Sequence, residues 1–524
     1  MEHQVFDLVI KSARIIDGSG NPWFKADIGV IGERIAKIGR IEDALYVIDA
    51  EGLLAVPGFI DTHSHSDLML IAEPEAKQKI MQGITTEVVG QDGLGEAPIS
   101  DETVDGWRRY LAGLNGDPEI EWSWRGFGEY LRALDKAKTS TNIAALVGHG
   151  NLRLLAMGME NRSPTQTELS TMKRILSESI AAGGFGLSTG LIYPPCVYAN
   201  SAELTELCSV AANYGGIFVV HMRNEGDGLF DSIDEVAKIG VDARIHVHVS
   251  HFKVSGSKNW GKAGKAIAKI NAHRNDGVEF TIDQYPYIAG STFLSSLLPI
   301  SAHEGGTDRM LERLRDPSER EQIRGLITES RGLNWGWQNI LVTSMNSEKN
   351  KPYEGLNLRE VSERRGEDPV ETLFNIIMEE ENAVTMVSFM MSEEDVRTVM
   401  RSPFQMVCTD GLVLRGKPHP RAYGSFPRVL GRYVKEGVIR LEDAIRKMTS
   451  LPAQTFGIRD RGLLKEGMFA DVTIFDPDTI IDKGTYQDPI QFPEGIEYVL
   501  VNGSVTVENG VHTGKRAGKV LRHR

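Results

Sequence analysis

Two histidines separated by one residue follow an apolar segment near the start of the chain. His63 and His65 lie in VPGFIDTHSHSD, residues 56–67. Side chains at positions i and i+2 of a β-strand point the same way, so both imidazoles could bind one metal ion. The spacing alone is weak evidence, because the chain has 13 histidines and contains a second such pair, His246 and His248. The rest of the sequence must decide between the two interpretations.

Eight short β-rich segments, most of them followed by a helical segment, make up the middle of the chain. This alternation is typical of a (β/α)8 barrel, an α/β fold whose active-site residues lie at the C-terminal ends of the strands. The eight segments are GFIDTHSH, ITTEVVGQD, NIAALVGHG, GFGLSTGL, IFVVHMRNE, RIHVHVSHFK, VEFTIDQYPY and FQMVCTDG. A ninth segment, AVTMVSFMM (383–391), has the same composition, so the pattern gives eight or nine strands.

Polar residues that can bind metal or substrate recur where these predicted strands end. In chain order they are His63 and His65, Asp92, His149, Thr189, His221, His251, Tyr285 and Asp410. A lone histidine is usually structural, but several histidines and an aspartate at corresponding strand ends indicate one shared site. Imidazole and carboxylate ligands suit Zn²⁺ and related ions. His246 and His248 have opposite parity to His251, so we expect them to face the helices as structural residues.

Both ends of the chain contain short alternating segments separated by turn residues, which predict β-strands. We expect a small β-sandwich built from residues 1–56 plus 455–524, and a barrel over residues 57–454. The gap between the seventh and eighth predicted strands is longer than an ordinary barrel connection. It indicates an insertion at about 290–350 that could act as a lid.

The composition restricts the class of protein. The 524 residues include 58 basic and 72 acidic side chains, giving a net charge of −14 without a basic tract, which argues against nucleic-acid binding. No apolar run is long enough for a membrane span, and the N-terminus lacks a signal-peptide pattern. Only three cysteines occur, an odd number without a C-x-x-C motif, which favours the reducing cytoplasm. The sequence leaves a homo-oligomer open.

An ordered series of motifs extends over nearly the whole chain. It consists of PGFIDTHSHSD, GFGLSTGLIYPP, HMRNE, SHFK, YPYIAGST, TDG, KPHPRAYGSFPRVLGRYV, KMTSLPA and DRGLLKEGMFADVTIFDP. This series resembles the N-acyl-D-amino-acid deacylases (D-aminoacylases) of the amidohydrolase superfamily. It implies zinc-dependent hydrolysis of the amide bond of a small-molecule N-acyl-D-amino acid, releasing a carboxylate and a free D-amino acid. It also implies one tightly bound zinc ion and a second, weaker divalent site.

The resemblance assigns roles to five residues. His221 and His251 correspond to ligands of the tightly bound zinc ion, and His63 and His65 correspond to ligands of the weaker position. Asp410 corresponds to the catalytic aspartate, which also lies among the metal ligands. In the implied mechanism Asp410 takes a proton from a metal-activated water and then passes it to the leaving amine.

One position departs from the family pattern. The family has a bridging cysteine after the second strand, whereas this chain has Asp92 in VGQDGLGEAP. A carboxylate is a harder, oxygen-donating ligand than a thiolate and can also bridge two ions. We expect Asp92 to replace the cysteine as a metal ligand. The alternative is that Asp92 only caps a turn, as aspartate commonly does.

The resemblance also implies the groups that bind substrate. Lys253 and Arg421 correspond to residues that bind the substrate carboxylate, and an arginine can grip a carboxylate with two parallel hydrogen bonds. Tyr193 and Tyr285 correspond to substrate-contacting tyrosines. Arg223 in HMRNE is a further candidate.

Two alternative functions remain open at this stage. The first is another hydrolase, either of cyclic amides (hydantoinase-like or dihydroorotase-like) or of β-aspartyl dipeptides. Against it, GFGLSTGL has no lysine that could form a carbamylated metal bridge. The second is an inert barrel used only for binding. The intact set of histidines and Asp410 argues against that reading, although Asp92 leaves room for it.

Overall fold

The computed structural model of the protein describes residues 5–331 and 336–523, with the side chains of all except 330 and 331. Its centre is a ring of parallel strands. In chain order, barrel strands 1 to 8 are Phe59–Asp61 continued by Ser64–His65, Ile84–Val89, Asn142–Ala145 continued by Val147–Gly148, Gly186–Gly190, Ile217–His221, Val247–Val249, Phe280–Gln284, and Gln405–Val407 continued by Gly411–Leu412.

Each barrel strand pairs in parallel with the next. Strand 8 pairs back with strand 1, where Gly411 lies opposite Ser64 and Leu412 opposite His65. The ring is therefore closed, and the prediction of a (β/α)8 barrel is confirmed.

Helices cover the outer face of the barrel and the segments beyond it. Local sequence explains individual ends: the helix that starts at Gln166 has Thr165 as its N-cap, and Glu168 completes a capping box. The described helices are Met69–Ala72, Lys77–Ile80, Val104–Asn115, Phe127–Ala137, His149–Met157, Gln166–Ala181, Ser201–Asn213, Leu229–Ala243, Ala263–Asn275, Thr307–Arg315, Pro317–Arg331, Leu358–Arg365, Pro369–Glu379, Glu393–Met400, Arg421–Arg428, Leu441–Met448 and Ser450–Thr455. Within the described ranges, no helix combines the length and apolar character needed to cross a bilayer.

The two ends of the chain share one nine-stranded sheet. The antiparallel pairing of Leu54–Pro57 with Val472–Phe475 joins the N-terminal strands to the C-terminal ones. The other strands are Phe6–Ile15, Phe24–Ile31, Arg34–Gly39, Ala44–Asp49, Ile496–Val501, Ser504–Glu508 and Val511–His512. The domain boundaries given above stay a prediction.

The ninth candidate strand lies outside the barrel. Thr385–Phe389 is the middle strand of a separate antiparallel sheet, between Ala289–Phe293 and Ile340–Val342. Residues of this sheet belong to a hydrophobic cluster of their own. Because the candidate strand pairs only within this separate sheet, the barrel has eight strands. Residues 332–335 of the predicted insertion lie outside the described residues.

His248 does not face the helices, and that prediction is wrong. Its ring contacts Phe456, which packs against inward-facing residues of the barrel such as Ile60 and Val219. The parity argument failed because the strand ends at Val249 and His251 has a left-handed backbone, with φ of 35°. Alternation of side chains holds only within a strand.

Candidate metal centre

Four histidines and two aspartates bring their side chains together at the C-terminal end of the barrel. These residues, called the ligand cluster below, are His63, His65, Asp92, His221, His251 and Asp410. All are buried, with at most 6% of their surface exposed. The sequence prediction therefore named six residues that the fold does bring together, although their roles remain proposals.

His63 and His65 aim the same ring atom into one space. Their Nε2 atoms are 3.2 Å apart. Asp92 Oδ2 lies 3.7 Å from the first and 3.6 Å from the second, and Asp410 Oδ1 lies 3.6 and 3.3 Å from them. Two imidazoles and two carboxylates thus surround a single small volume.

Asp92 also faces the other histidine pair. Its Oδ1 lies 3.7 Å from His251 Nε2, and its Oδ2 lies 4.0 Å from His221 Nδ1. Two groups of three potential ligands result, His63, His65 and Asp92 in one and Asp92, His221 and His251 in the other, with ligand atoms within 4.8 Å of one another in each group. Asp92 belongs to both groups.

The donor atoms of the cluster fit a divalent cation. His63 Nδ1, Asp92 Oδ1 and both ring nitrogens of His221 are buried and have no hydrogen-bond partner in the part of the chain that the structure describes. Buried polar atoms without a partner are rare and need an explanation. Imidazole nitrogen and carboxylate oxygen are ligands that Zn²⁺ accepts readily. A cation beside Asp92 would therefore account for Asp92 Oδ1 and for the His221 Nδ1 atom that faces Asp92.

Asp92 owes its position to a turn after barrel strand 2. The short helical turn Gln91–Gly93 gives Asp92 a left-handed backbone, with φ of 57°. A Cβ atom on Gly93 would come within 2.7 Å of Cys196 Sγ, so a larger residue would push the turn away. In this turn the Asp92 carboxylate lies within 4.0 Å of a ring nitrogen of each of the four histidines.

Asp283 holds His251 from inside the barrel. Asp283 Oδ1 accepts a hydrogen bond from the backbone N–H of His251, and Oδ2 accepts one from the Thr62 hydroxyl at 2.8 Å. His248 Nε2 lies 2.9 Å from Oδ2. Burial acts to raise the pKa of Asp283, but the neighbouring imidazoles, His248 foremost, outweigh burial and lower it to about 2. A charged carboxylate thus ties strands 1, 6 and 7 together beneath the ligand cluster.

Neighbouring charges control the ionisation of the cluster. Burial acts to raise the pKa of Asp410, but Arg421 and the imidazoles of His251 and His63 outweigh it and hold the pKa well below its usual range. Burial also acts to lower the pKa of His65, yet Asp410 and Asp92 raise it to about 9. The charges around Asp410 therefore favour its ionised form.

The four residues that the resemblance assigns to substrate binding lie beside the cluster. The centroid of the Tyr285 ring lies 4.5 Å from Arg421 Cζ and 5.9 Å from Lys253 Nζ. The Tyr285 hydroxyl is buried and has no partner among the described residues. The Tyr193 ring lies 5.5 Å from that of His221.

Three other predicted residues contact different partners. The Arg223 guanidinium binds Glu235 and two backbone carbonyls, which turns it away from the cluster. His149 and Thr189 bind each other, with 2.9 Å between Nδ1 and Oγ1, and His149 Nε2 lies 2.8 Å from Glu203 Oε1. Their strand-end position was predicted well, but they lie outside the ligand cluster.

Sequence reasoning missed Glu225. Its Oε1 lies 2.6 Å from Lys253 Nζ and 3.3 Å from His251 Nδ1. The signal was present, since Glu225 follows His221 by four residues in HMRNE. An acidic residue in a loop is usually solvated, so its burial could not be inferred from the motif alone.

The sequence of the chain is similar to that of a known family and of characterised enzymes. The model of the amidohydrolase family matches residues 46–507. The chain belongs to the amidohydrolase family. It is 37% identical to the N-acyl-D-glutamate deacylase of Alcaligenes xylosoxydans xylosoxydans over 98% of this chain and 96% of that protein. It is 34% identical to the D-aminoacylase of the same organism over 99% and 98% of the two chains.

A solved structure with the same fold belongs to the N-acyl-D-glutamate deacylase of Bordetella bronchiseptica. The TM-score is 0.85 at 36% identity, covering 99% of this chain and 100% of that one. That enzyme was crystallised with zinc and with a phosphonate inhibitor that mimics the tetrahedral intermediate of its reaction.

Proposed function

We propose that the protein is a zinc-dependent hydrolase that cleaves the amide bond of N-acyl-D-amino acids, releasing a carboxylate and a free D-amino acid. One observation carries the proposal: a buried cluster of four imidazoles and two carboxylates lies directly beside two cationic side chains, Lys253 and Arg421. Metal ligands next to a carboxylate-binding pair suit a linear amide with an adjacent carboxylate. The sequence similarity to the deacylases supports the same activity.

The ligand cluster divides between two cation positions. Asp92, His221 and His251 would hold one zinc ion, and His63, His65 and the shared Asp92 would hold a second divalent ion. A bound zinc ion supplies Lewis acidity toward the scissile carbonyl and lowers the pKa of water to about 7.

Asp410 moves the proton. Its Oδ1 faces the cluster, 3.3 Å from His65 Nε2, where it can accept a proton from the attacking water. It then donates that proton to the nitrogen of the leaving amine, which could not depart as an anion. Its location at the end of barrel strand 8 agrees with the position of active-site groups in this fold.

Arg421, Lys253 and Tyr285 bind the substrate carboxylate. Both cations lie near the Tyr285 ring, so a carboxylate bound in the space beside this ring would lie close to both of them. The unpaired Tyr285 hydroxyl is available to donate a further hydrogen bond. These contacts orient the amide so that its carbonyl faces the ligand cluster. Tyr193 lines the same space beside His221.

The alternatives have less support. Barrel strand 4 consists of Gly186–Gly190 and offers no lysine for a carbamylated bridge of the kind that cyclic-amide hydrolases would need. An inert barrel would have no reason to keep six buried ligand atoms aimed at one another, since buried charges without a partner are costly. We also propose a cytoplasmic location, because the three cysteines are buried and unpaired.

The decisive experiment measures amine release from N-acetyl-D- and N-acetyl-L-amino acids, with hydantoin and a β-aspartyl dipeptide as alternative substrates. The protein is assayed as purified, after chelation with metal content verified by elemental analysis, and after return of Zn²⁺. Selective release from the D series that disappears on chelation and returns with zinc supports the proposal. Full activity of metal-free protein, or preference for hydantoin or the dipeptide, contradicts it.

A further inference from the structure

Glu225 is a buried carboxylate that touches three groups of the proposed active site without facing Asp92. Only 11% of its side chain is exposed. Its Oε1 lies 2.6 Å from Lys253 Nζ and 3.3 Å from His251 Nδ1, while its Oε2 lies 3.6 Å from His221 Nε2. One carboxylate thus reaches both histidines of one ligand group and the nearest cation.

His221 and His251 each direct one ring nitrogen toward Asp92 and the other toward Glu225. His251 directs Nε2 toward Asp92 and Nδ1 toward Glu225, whereas His221 directs Nδ1 toward Asp92 and Nε2 toward Glu225. A histidine binds a metal through one ring nitrogen only if the other nitrogen carries the proton. An acceptor on the far side fixes that arrangement. Glu225 Oε1, 3.3 Å from His251 Nδ1, can accept that hydrogen, whereas Oε2 lies 3.6 Å from His221 Nε2 and makes no hydrogen bond with it.

Because Lys253 lies beside His251, the His251 Nδ1–H group needs a hydrogen-bond acceptor such as Glu225. Its Nζ lies 2.8 Å from His251 Nδ1. An ammonium group can only donate hydrogen bonds, so a bond to Nδ1 would force the His251 proton onto Nε2, the atom that faces Asp92. Glu225 can accept from Lys253 and from His251 Nδ1–H together, which removes this competition. The ligand atom of His251 then stays available.

We propose that Glu225 is a positioning residue that sets the tautomer of His251 for metal binding and holds Lys253 where the substrate carboxylate binds. This inference rests on the proposed function. It differs from a purely structural ion pair, because loss of a structural pair would lower stability without changing the affinity for zinc.

Glu225→Gln removes the charge and keeps the size of the side chain. We expect its zinc affinity, measured by competition with a chromophoric chelator, to fall about 10- to 100-fold, the usual cost of losing such a supporting carboxylate. At saturating zinc, KM for an N-acetyl-D-amino acid should rise more than kcat falls, because Lys253 loses its anchor. Asp227→Asn is the matched control: it lies two residues away, is 60% exposed and pairs with Lys258, so its zinc affinity should stay within about twofold of wild type.

A second variant separates the two parts of the inference. Lys253→Met removes the competing donor but leaves Glu225 beside both imidazoles, so KM should rise while zinc affinity stays near that of wild type. Equal weakening of zinc binding in Lys253→Met and Glu225→Gln would contradict the tautomer argument. If Glu225→Gln does not fold, Lys253→Met still tests the inference, because a loss of zinc affinity in Lys253→Met would contradict it.

The outcomes also distinguish this inference from the proposed function. If wild-type protein binds zinc and hydrolyses N-acetyl-D-amino acids, but folded Glu225→Gln has wild-type zinc affinity and KM, only the inference is wrong. If wild-type protein neither binds zinc nor hydrolyses these substrates, the proposed function fails and the inference fails with it.

Discussion

Arg421 and Asp410 form a buried ion pair, with 2.7 Å between Nη1 and Oδ2. The other carboxylate oxygen of Asp410 faces His65. The arginine that we assign to the substrate carboxylate therefore already holds the carboxylate that we assign to proton transfer. A bound substrate would share this guanidinium with Asp410, so Arg421 should affect both binding and catalysis.

The first prediction concerns Arg421. Arg421→Ala should raise KM by about 10- to 100-fold, because a hydrogen bond to a charged group contributes about 1.5–3 kcal/mol. It should also lower kcat, since Asp410 loses the partner that orients it. Arg428→Lys is a suitable control, because Arg428 pairs with Asp482 outside the ligand cluster. Steady-state kinetics at saturating zinc measure both effects, and an unchanged KM for Arg421→Ala would refute the assignment.

The second prediction concerns metal content. Asp92 is shared by both ligand groups, so Asp92→Ala should reduce zinc bound per chain at both positions rather than at one. Elemental analysis after dialysis against buffered zinc measures this. Cys196→Ala is the control, because the Cys196 thiol packs against the same turn but lies outside both ligand groups. Full zinc content in Asp92→Ala would contradict the assignment of Asp92 as a metal ligand.

The third prediction concerns the support beneath His251. Asp283→Asn should weaken zinc binding about tenfold, a typical loss for an outer partner of a metal ligand. It should also lower Tm, since breaking a buried charged pair costs about 3–5 kcal/mol. Asp395→Asn is a matched control, because Asp395 is also buried and accepts backbone N–H bonds from Gly261 and Ala263, which lie outside the ligand cluster. Asp395→Asn should lower Tm and leave the zinc affinity unchanged. An equal loss of zinc affinity in both variants would contradict the proposal that Asp283 positions His251.

The fourth prediction concerns pH. Burial acts to lower the pKa of His149, but Cys196 and Glu203 outweigh it and raise the pKa from 6.5 to about 9. A raised folded-state pKa stabilises the protein fully below pH 6.5, and this contribution is lost as pH rises through 9. Wild type should therefore exceed His149→Gln in Tm most clearly at pH 6, with the gap shrinking toward pH 9.5. If scanning calorimetry showed a Tm difference between wild type and His149→Gln that widens as pH rises, the prediction that His149 is protonated in the folded protein would be wrong.

Much of this arrangement follows from local sequence. Alternating β-rich and helical segments specify a barrel, and the barrel specifies where His63, His221 and Asp410 meet, because parallel strands end on one side. The sequence could not place Thr385–Phe389, since composition predicts a strand but not its partner. It misplaced His248 because the chain leaves the strand before His251. Glu225 and Arg223 share one motif, yet their directions depend on Lys253 and Glu235, which lie elsewhere in the chain.

The pairing of Gly411 with Ser64 has a consequence for synthesis of the protein. His63 and His65 emerge from the ribosome early, but Asp410 and the strand that closes the cylinder emerge more than three hundred residues later. A nascent chain halted before residue 410 lacks both the last carboxylate of the ligand cluster and the strand that closes the barrel. The six side chains of the ligand cluster therefore cannot assemble around one space until synthesis has passed residue 412 and the barrel has closed.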